Sequence, residues 1–181
     1  MDEPSIGTLK TVAVSDRPDL LGGPVAQALA ARPEAAVYVA EIDPDLADTA
    51  QFCAAYDVPM EVSANCVVVS GRRGGEQRLA ACMVLATTRA DVNGVVKRRL
   101  DVRKASFLSM DDAVAATGME YGGITPIGLP PDWPILVDAA VADLPYAIIG
   151  SGVRRSKLAL PGRTLASWPG AEVVEGLARS A

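Results

Sequence analysis

Asn65–Ser70 (NCVVVS), Gly71–Gly75 (GRRGG) and Leu79–Thr87 (LAACMVLAT) form the stretch whose reading decides the fold. Two apolar runs flank a turn of glycine and arginine, which predicts a β-hairpin. Its first arm is rich in valine, whose branched side chain suits a pleated, half-buried surface. Upstream, Asp43-Pro44 places an N-cap before a proline at the first helical position. A helix to about Tyr56 follows, with Leu46, Ala47, Ala50, Cys53 and Ala54 along one face. Asp57-Val58-Pro59 stops it, because the residue before proline is pushed out of the helical region. Ala35–Ile42 is expected as a strand. Pro18–Arg32 is expected as a helix weakened by Gly22, Gly23 and Pro24.

Downstream of the hairpin, Asp91 can cap a helix that turns Val92, Val95, Val96 and Leu100 to one side and Lys97, Arg98 and Arg99 to solvent. Lys104–Leu108 reads as a short strand. Ser109 caps a second helix, with Asp112 three residues on and Gly118 as its C-cap. Met119–Tyr121 is expected as a short strand leading into a Gly/Pro-rich loop, Gly122–Pro131. Ile135–Val137, Tyr146–Ile149 and Lys157–Leu160 are three more strands. Pro169–Arg179, acidic at its start and basic near its end, is expected as a C-terminal helix. Strands and helices interleave without a regular βαβ period. The expected fold is therefore mixed α/β, a twisted, partly closed mixed sheet flanked by helices.

The inventory of reactive groups narrows the chemistry. The 181 residues contain no histidine and three cysteines (Cys53, Cys66, Cys82), none in a CxxC pair. A Ser-His-Asp or Cys-His nucleophile system and an HExxH zinc site are excluded. Scattered single cysteines do not make a zinc set, so neither a metal nor a cofactor is expected. They read as reduced, buried thiols. Paired Asp111 and Asp112 read as first-turn helix residues. Trp133 and Trp168, each beside proline, are expected to pack over the core. The amino end lacks a basic-then-apolar signal layout, and no apolar run is long enough for a bilayer; a cytoplasmic protein without a membrane partner is expected.

Charge is unevenly spread. The net charge is −5, made of −8 over residues 1–61 and +3 over residues 62–181. Basic residues cluster at Arg72/Arg73, at Lys97/Arg98/Arg99, at Arg103/Lys104 and at Arg154/Arg155/Lys157. Clustered Lys and Arg suit a polyanion by neutralising phosphates, and they equally suit solvated turns. The overall acidity argues against coating DNA.

The loop Gly122–Pro126 (GGITP) carries the functional argument. Adjacent glycines allow positive φ and close approach of backbone N–H groups to a ligand. A pocket built from backbone donors is what a chain without histidine needs to hold an oxyanion. A tight turn with no ligand would have the same spacing.

At this loop the sequence resembles the YbaK / prolyl-tRNA-synthetase-associated editing domains, over roughly Val37 to Ala166. Four segments carry the resemblance in order: ANCVVVS (Ala64–Ser70), GGITPIG (Gly122–Gly128), ILVDAAV (Ile135–Val141) and IIGSG…KLAL between Ile148 and Leu160. The GxxxP loop from Gly122 to Pro126 is the most specific. The resemblance implies residues 37–181 as the editing domain and residues 1–36 as an acidic, helical N-terminal extension. It implies hydrolysis of the ester joining a small mischarged amino acid to tRNA, in trans, with the 2′-hydroxyl of the terminal adenosine assisting the water.

In that scheme Gly122, Gly123 and Ile124 present backbone amides to the carbonyl or ribose, and Asn65 orients it. Thr125 and Pro126 line the aminoacyl pocket, and Asp138 meets the substrate's ammonium group or caps a turn. Gly150, Ser151 and Gly152 form the opposite wall. Lys97, Arg98, Arg99, Arg154 and Arg155 are the expected tRNA contacts. Aminoacyl-tRNA is the implied partner, with a synthetase as a further one.

One position departs from the family: its lysine at the start of the NCVVVS strand is here Asn65, which donates a hydrogen bond but supplies no charge. Either Asn65 does the orienting, or Lys97, Lys104 or Arg154 supplies the charge, or the domain binds without hydrolysing. The alternative reading is thus a noncatalytic module that binds aminoacyl-tRNA, a synthetase or a small nucleotide-like ligand.

Overall fold

The computed structural model describes residues 3–181. β1 (Thr11–Ala13) is followed by a 3-10 turn at Pro18–Leu20 and helix α1 (Gly23–Ala30). The long helix expected over Pro18–Arg32 is thus broken: Leu21 and Gly22 are extended between the two pieces. The added carbon of any other residue at Gly22 would lie 2.9 Å from the Gly152 Cα, so close packing sets the break. β2 (Tyr38–Glu41) comes next. Asp43 caps as expected, accepting from the Asp45 N–H at 2.9 Å, but its helix is a 3-10 turn at Pro44–Leu46. Helix α2 (Thr49–Tyr56) then starts afresh after Asp48.

The hairpin is longer than its apolar runs. β3 (Ala64–Arg73) and β4 (Glu76–Leu85) pair antiparallel from Ala64↔Leu85 to Arg73↔Glu76. Only Gly74 (φ 58°) and Gly75 (φ 82°) remain in the turn. Positive φ at both central residues is what a two-residue turn matched to strand twist demands, so arginines 72 and 73 join the strand. β5 (Thr88–Ala90) continues the chain. Asp91 accepts from the Gly94 and Val95 amides, each at 3.2 Å, and starts a wide turn at Val92–Val96 that runs into α3 (Lys97–Leu100).

β6 (Ala105–Phe107) precedes α4 (Met110–Thr117), where Ser109 accepts from the Asp112 amide at 3.2 Å and Gly118 ends the helix at φ 67°. Met119–Tyr121 does not form the expected strand; Glu120 is instead tied to Gly152. β7 (Ile135–Asp138), α5 (Ala139–Ala142), β8 (Ala147–Gly150), β9 (Ser156–Leu160) and α6 (Gly162–Ala166) follow.

The expected C-terminal helix over Pro169–Arg179 is absent. β10 (Ala171–Val174) pairs parallel with β7, and β11 (Ala178–Ser180) pairs antiparallel with β5. Gly170 and Gly176 at φ 83° and 68° punctuate the segment. The β-branched Val173 and Val174 and two open strand edges outweigh the dipole-friendly charges.

Two main sheets result. One has the order β1-β2-β9-β8, the other β10-β7-β4-β3-β6, and β11-β5 forms a small third. The bridge Ser63↔Ile148 joins the two main sheets. This is the mixed α/β, partly closed arrangement expected.

The central core lies between these layers and includes Val39, Ala81, Met83, Val137, Ile149, Leu158 and Leu160, together with Leu20, Val25 and Leu29 from the N-terminal segment. A second core covers the other face of the hairpin, where Val92, Val96 and Leu100 pack on Val69, Ala80, Cys82 and Val84. A third packs α2, through Phe52 and Cys53, over Tyr38, Ala40 and Ile148. No helix among the described residues is long and apolar enough to cross a membrane.

Candidate active site

Where the two main sheets meet beside the bridge, a cavity of about 510 Å³ opens to solvent. β3 supplies Asn65, Cys66 and Val68 to its wall, β8 supplies Ile149 and Gly150, and the loop after α4 supplies Tyr121, Gly122 and Ile124. α2 and its cap add Asp48, Thr49 and Phe52, and β9 adds Lys157. The volume lies within the ~300–1,000 Å³ of ordinary ligand sites. One side of its mouth is apolar. Phe107, Met110 and Tyr121 line it, and each is at least half exposed. Large exposed apolar side chains gathered at one opening mark a surface that meets something.

The glycine loop is held by backbone. Glu120 N donates to Gly152 O at 3.0 Å and Gly152 N donates to Gly123 O at 2.7 Å. The Glu120 carboxylate accepts from the Arg154 amide at 3.0 Å, and the Arg154 guanidinium donates to the carbonyls of Tyr121 (3.2 Å) and Pro44 (3.1 Å). Gly122 sits at φ 84°, where a side chain is strained. Among the described residues its amide and that of Ile124 enter no backbone hydrogen bond, and both residues line the cavity. They are two main-chain donors left over at a cavity wall.

The structure sorts the residues named from sequence. It brings Asn65, Gly122, Ile124 and Gly150 to one cavity. Asn65 Oδ1 accepts from the Thr49 hydroxyl at 2.8 Å, which fixes the amide's orientation. Gly123 is buried behind the wall, and its N–H is already donated to Glu120 O at 2.9 Å, so it has no donor to offer a ligand. Thr125 and Pro126 are buried beneath the loop and do not line the cavity; the Thr125 hydroxyl has no partner among the described residues.

Asp138 does not line the cavity. Its two oxygens accept from the Ala140 and Ala178 amides, each at 2.9 Å, so it caps α5 and ties β11 to β7. Ser151 is fully buried and hydrogen-bonded to Ser156 O at 3.0 Å; it and Gly152, at φ 88°, shape the turn that backs the glycine loop and do not reach the cavity.

The basic residues divide as well. Lys97, Arg98 and Arg99 stand on α3, whose apolar side packs on the Val69/Cys82/Val84 face of the hairpin. Cys66 and Val68, which alternate to the other face, line the cavity. The α3 cluster is therefore across the sheet from the site, and Arg99 pairs with Glu172. Arg154 braces the loop, and Arg155 donates to Asp19 O. Trp133 and Trp168 are buried in the core, away from the cavity. Asp111 and Asp112 occupy the first turn of α4.

All three cysteines are free. Burial pushes the Cys66 thiol up, with Cys82 adding to it, and burial pushes Cys82 up to about 12. Thiolate is the reactive form, so neither Cys66 nor Cys82 is primed as a nucleophile. Native protein is expected to take up iodoacetamide at Cys82 only on the timescale of unfolding, read by mass spectrometry.

Sequence reasoning missed Lys157. It is 8 % exposed, donates to Ala47 O at 2.9 Å, and lies over the Phe52 ring at 5.2 Å. Burial pushes its ammonium down to about 8, with Arg154 adding in the same direction and Cys53 and Asp48 opposing. A lysine in a strand, SKLAL, that carries no other charge was the available signal, since such a residue is rarely buried without a task.

Comparison with known proteins agrees with this geometry. A solved structure of a proposed trans-editing enzyme for prolyl-tRNA synthetase superimposes with a TM-score of 0.71 at 20% identity, covering 84% of this chain and 93% of that one. A solved hypothetical protein gives 0.76 at 19% identity, covering 86% and 99%. At such identities the likeness is one of fold. A search of curated proteins finds no significant match. The sequence model of the aminoacyl-tRNA editing domain matches residues 43–167, most of the chain and all of the cavity wall, and this protein belongs to that family.

Proposed function

We propose that the chain hydrolyses the ester of a mischarged aminoacyl-tRNA in trans, taking a small residue such as alanine, serine or cysteine. The observation that carries this reading is the pair of unused amides, Gly122 and Ile124, on the wall of a cavity with apolar side chains along one side of its mouth. The aminoacyl end enters the cavity. The terminal adenine rests on Phe107 and Tyr121, since aromatic faces accept any base. A water adds to the ester carbon and the carbonyl electron pair moves onto oxygen. The amides of Gly122 and Ile124 hold that oxyanion. Its collapse expels the ribose oxygen, which takes up a proton and leaves as the hydroxyl. The neighbouring ribose hydroxyl positions the water, a task no histidine in this chain can perform.

Selection by size gives the module its purpose. One methylene is worth only ~1–3 kcal/mol in a synthetase pocket, so errors between small residues persist and a second pocket must remove them. A panel of labelled aminoacyl-tRNAs tests the reading. Deacylation is expected for one or two small residues on noncognate tRNA, with larger residues spared. Release of no residue above buffer refutes hydrolysis.

The uncharged Asn65 is the observation favouring the second reading, a module that binds aminoacyl-tRNA or a synthetase without turnover. Binding that weakens steeply with salt, and no cleavage, is its signature.

A further inference from the structure

β9 lies in the middle of its sheet, with Lys157 opposite Ala40 on one side and Gly150 on the other. All five residues of the strand are buried. A lysine there costs free energy, because the fold must desolvate a cation, and a methionine or leucine would fill the same space. The ammonium has three protons to donate. One goes to Ala47 O. Among the described residues no carboxylate lies within ion-pair distance and no second acceptor is in reach. The charged and titratable groups that face it are Asp48 and Arg154 at the mouth and Cys53 from α2. Asp48 is itself engaged by Arg154. Lys157 is therefore a cation short of acceptors, on a cavity wall that also carries Gly122, Ile124 and Asn65.

The geometry points to Lys157 as a catalytic residue that donates from within the cavity to the ester carbonyl oxygen of the substrate. This rests on the hydrolytic reading above. It also resolves the departure at Asn65: the positive charge absent from β3 enters from β9, which neither Lys97, Lys104 nor Arg154 does. In the reaction the charge acts on the oxygen that gains the electron pair when water adds. The proton stays on Lys157, and the departing ribose oxygen takes its proton from the attacking water.

The test compares wild type, Lys157→Met and Lys157→Arg, with folding checked by urea denaturation. Two readouts are used: turnover of the best aminoacyl-tRNA, and binding of a 3′-amide-linked aminoacyl-adenosine that lacks a 5′-phosphate. Lys157→Met is expected to weaken analogue binding roughly 10- to 100-fold, the scale of a charge-assisted hydrogen bond, and to slow turnover at least as much. Wild-type binding should fall as pH rises through about 8, where the buried ammonium loses its proton, while Lys157→Arg keeps its charge and shows no such limb.

Wild-type-like turnover and binding in Lys157→Met overturn the inference and leave the hydrolase reading standing. A loss seen only with a 5′-phosphorylated analogue also overturns it, since the lysine then serves phosphate. Lys157-dependent analogue binding without wild-type turnover supports the inference and removes hydrolysis. No wild-type binding or cleavage removes both.

Discussion

Gly150→Ala is expected to abolish deacylation and to lower the melting temperature by roughly 2–12 °C. The added carbon would lie 2.5 Å from Gly123 O and 2.7 Å from Ile124 O. Both are backbone atoms of a loop that Gly152, Arg154 and Glu120 hold in place, so no side chain can swing aside. Overpacking of this kind costs ~1–3 kcal/mol, and one kcal/mol moves the midpoint of a chain this size by ~2–4 °C. To relieve the clash the loop must shift, and the Gly122 and Ile124 amides shift with it. Amides displaced by an ångström no longer meet the oxyanion. Gly23→Ala is the comparison: its added carbon meets nothing within 4 Å, and activity should be unchanged. Scanning calorimetry with a deacylation assay reads both effects. A Gly150→Ala protein with wild-type activity would show that the loop does not form the site.

Lys157→Met is expected to make the protein more stable at pH 7. Burial lowers the ammonium from 10.5 to about 8 in the folded state. Below pH 8 both folded and unfolded chains carry the proton, and the folded state bears the full penalty of a buried charge. Between about 8 and 10.5 the unfolded chain holds more protons than the folded one, so wild-type stability rises with pH. Above that range the penalty is gone. The shift corresponds to roughly 3 kcal/mol at neutral pH, reduced by about 1 kcal/mol for the lost hydrogen bond to Ala47. The advantage of Lys157→Met in urea denaturation should therefore shrink between pH 7 and pH 10. A variant less stable than wild type at pH 7 would mean that the lysine is held for structure. A stabilising change that removes activity is the trade-off expected where function requires a costly residue.

Local chemistry made much of the fold legible. The hairpin was readable because valine-rich runs and a glycine pair speak for themselves over a few residues. The caps at Asp43, Asp91, Ser109 and Gly118 were readable because an oxygen or a positive φ acts on its own neighbours. What failed was nonlocal. Residues 169–179 carry helix-like charges, yet two distant strand edges, β7 and β5, recruit them.

The site divides in the same way. The glycine loop stood out by composition, and the structure places Gly122 and Ile124 at a cavity. Gly123 and Ser151 meet near neighbours, Glu120 and Ser156, but those turns are held by distant partners: Gly152 N donates to Gly123 O, and Gly22 N donates to Ser151 O. Asp138 read as a carboxylate that either meets an ammonium group or caps a turn, and the structure shows it capping. Its partners, the amides of Ala140 and Ala178, include one 40 residues distant. Lys157 was read only as the first residue of a strand and as one of a basic cluster, not as part of the site. Only the pairing opposite Gly150 and the cover from Ala47 and Phe52 put it on the cavity wall.

Single-turnover cleavage of a 3′-aminoacyl-tRNA ending in 2′-deoxyadenosine, set against the same tRNA with its natural terminal ribose, probes this chemistry most directly. If backbone amides hold the oxyanion and the nucleotide's own hydroxyl handles the water, the deoxy substrate should bind comparably. It should then be cleaved at least ~100-fold more slowly, the lower end of what a positioned proton-handling group contributes. Equal cleavage of the two substrates would contradict that account and return the task to a side chain of the protein.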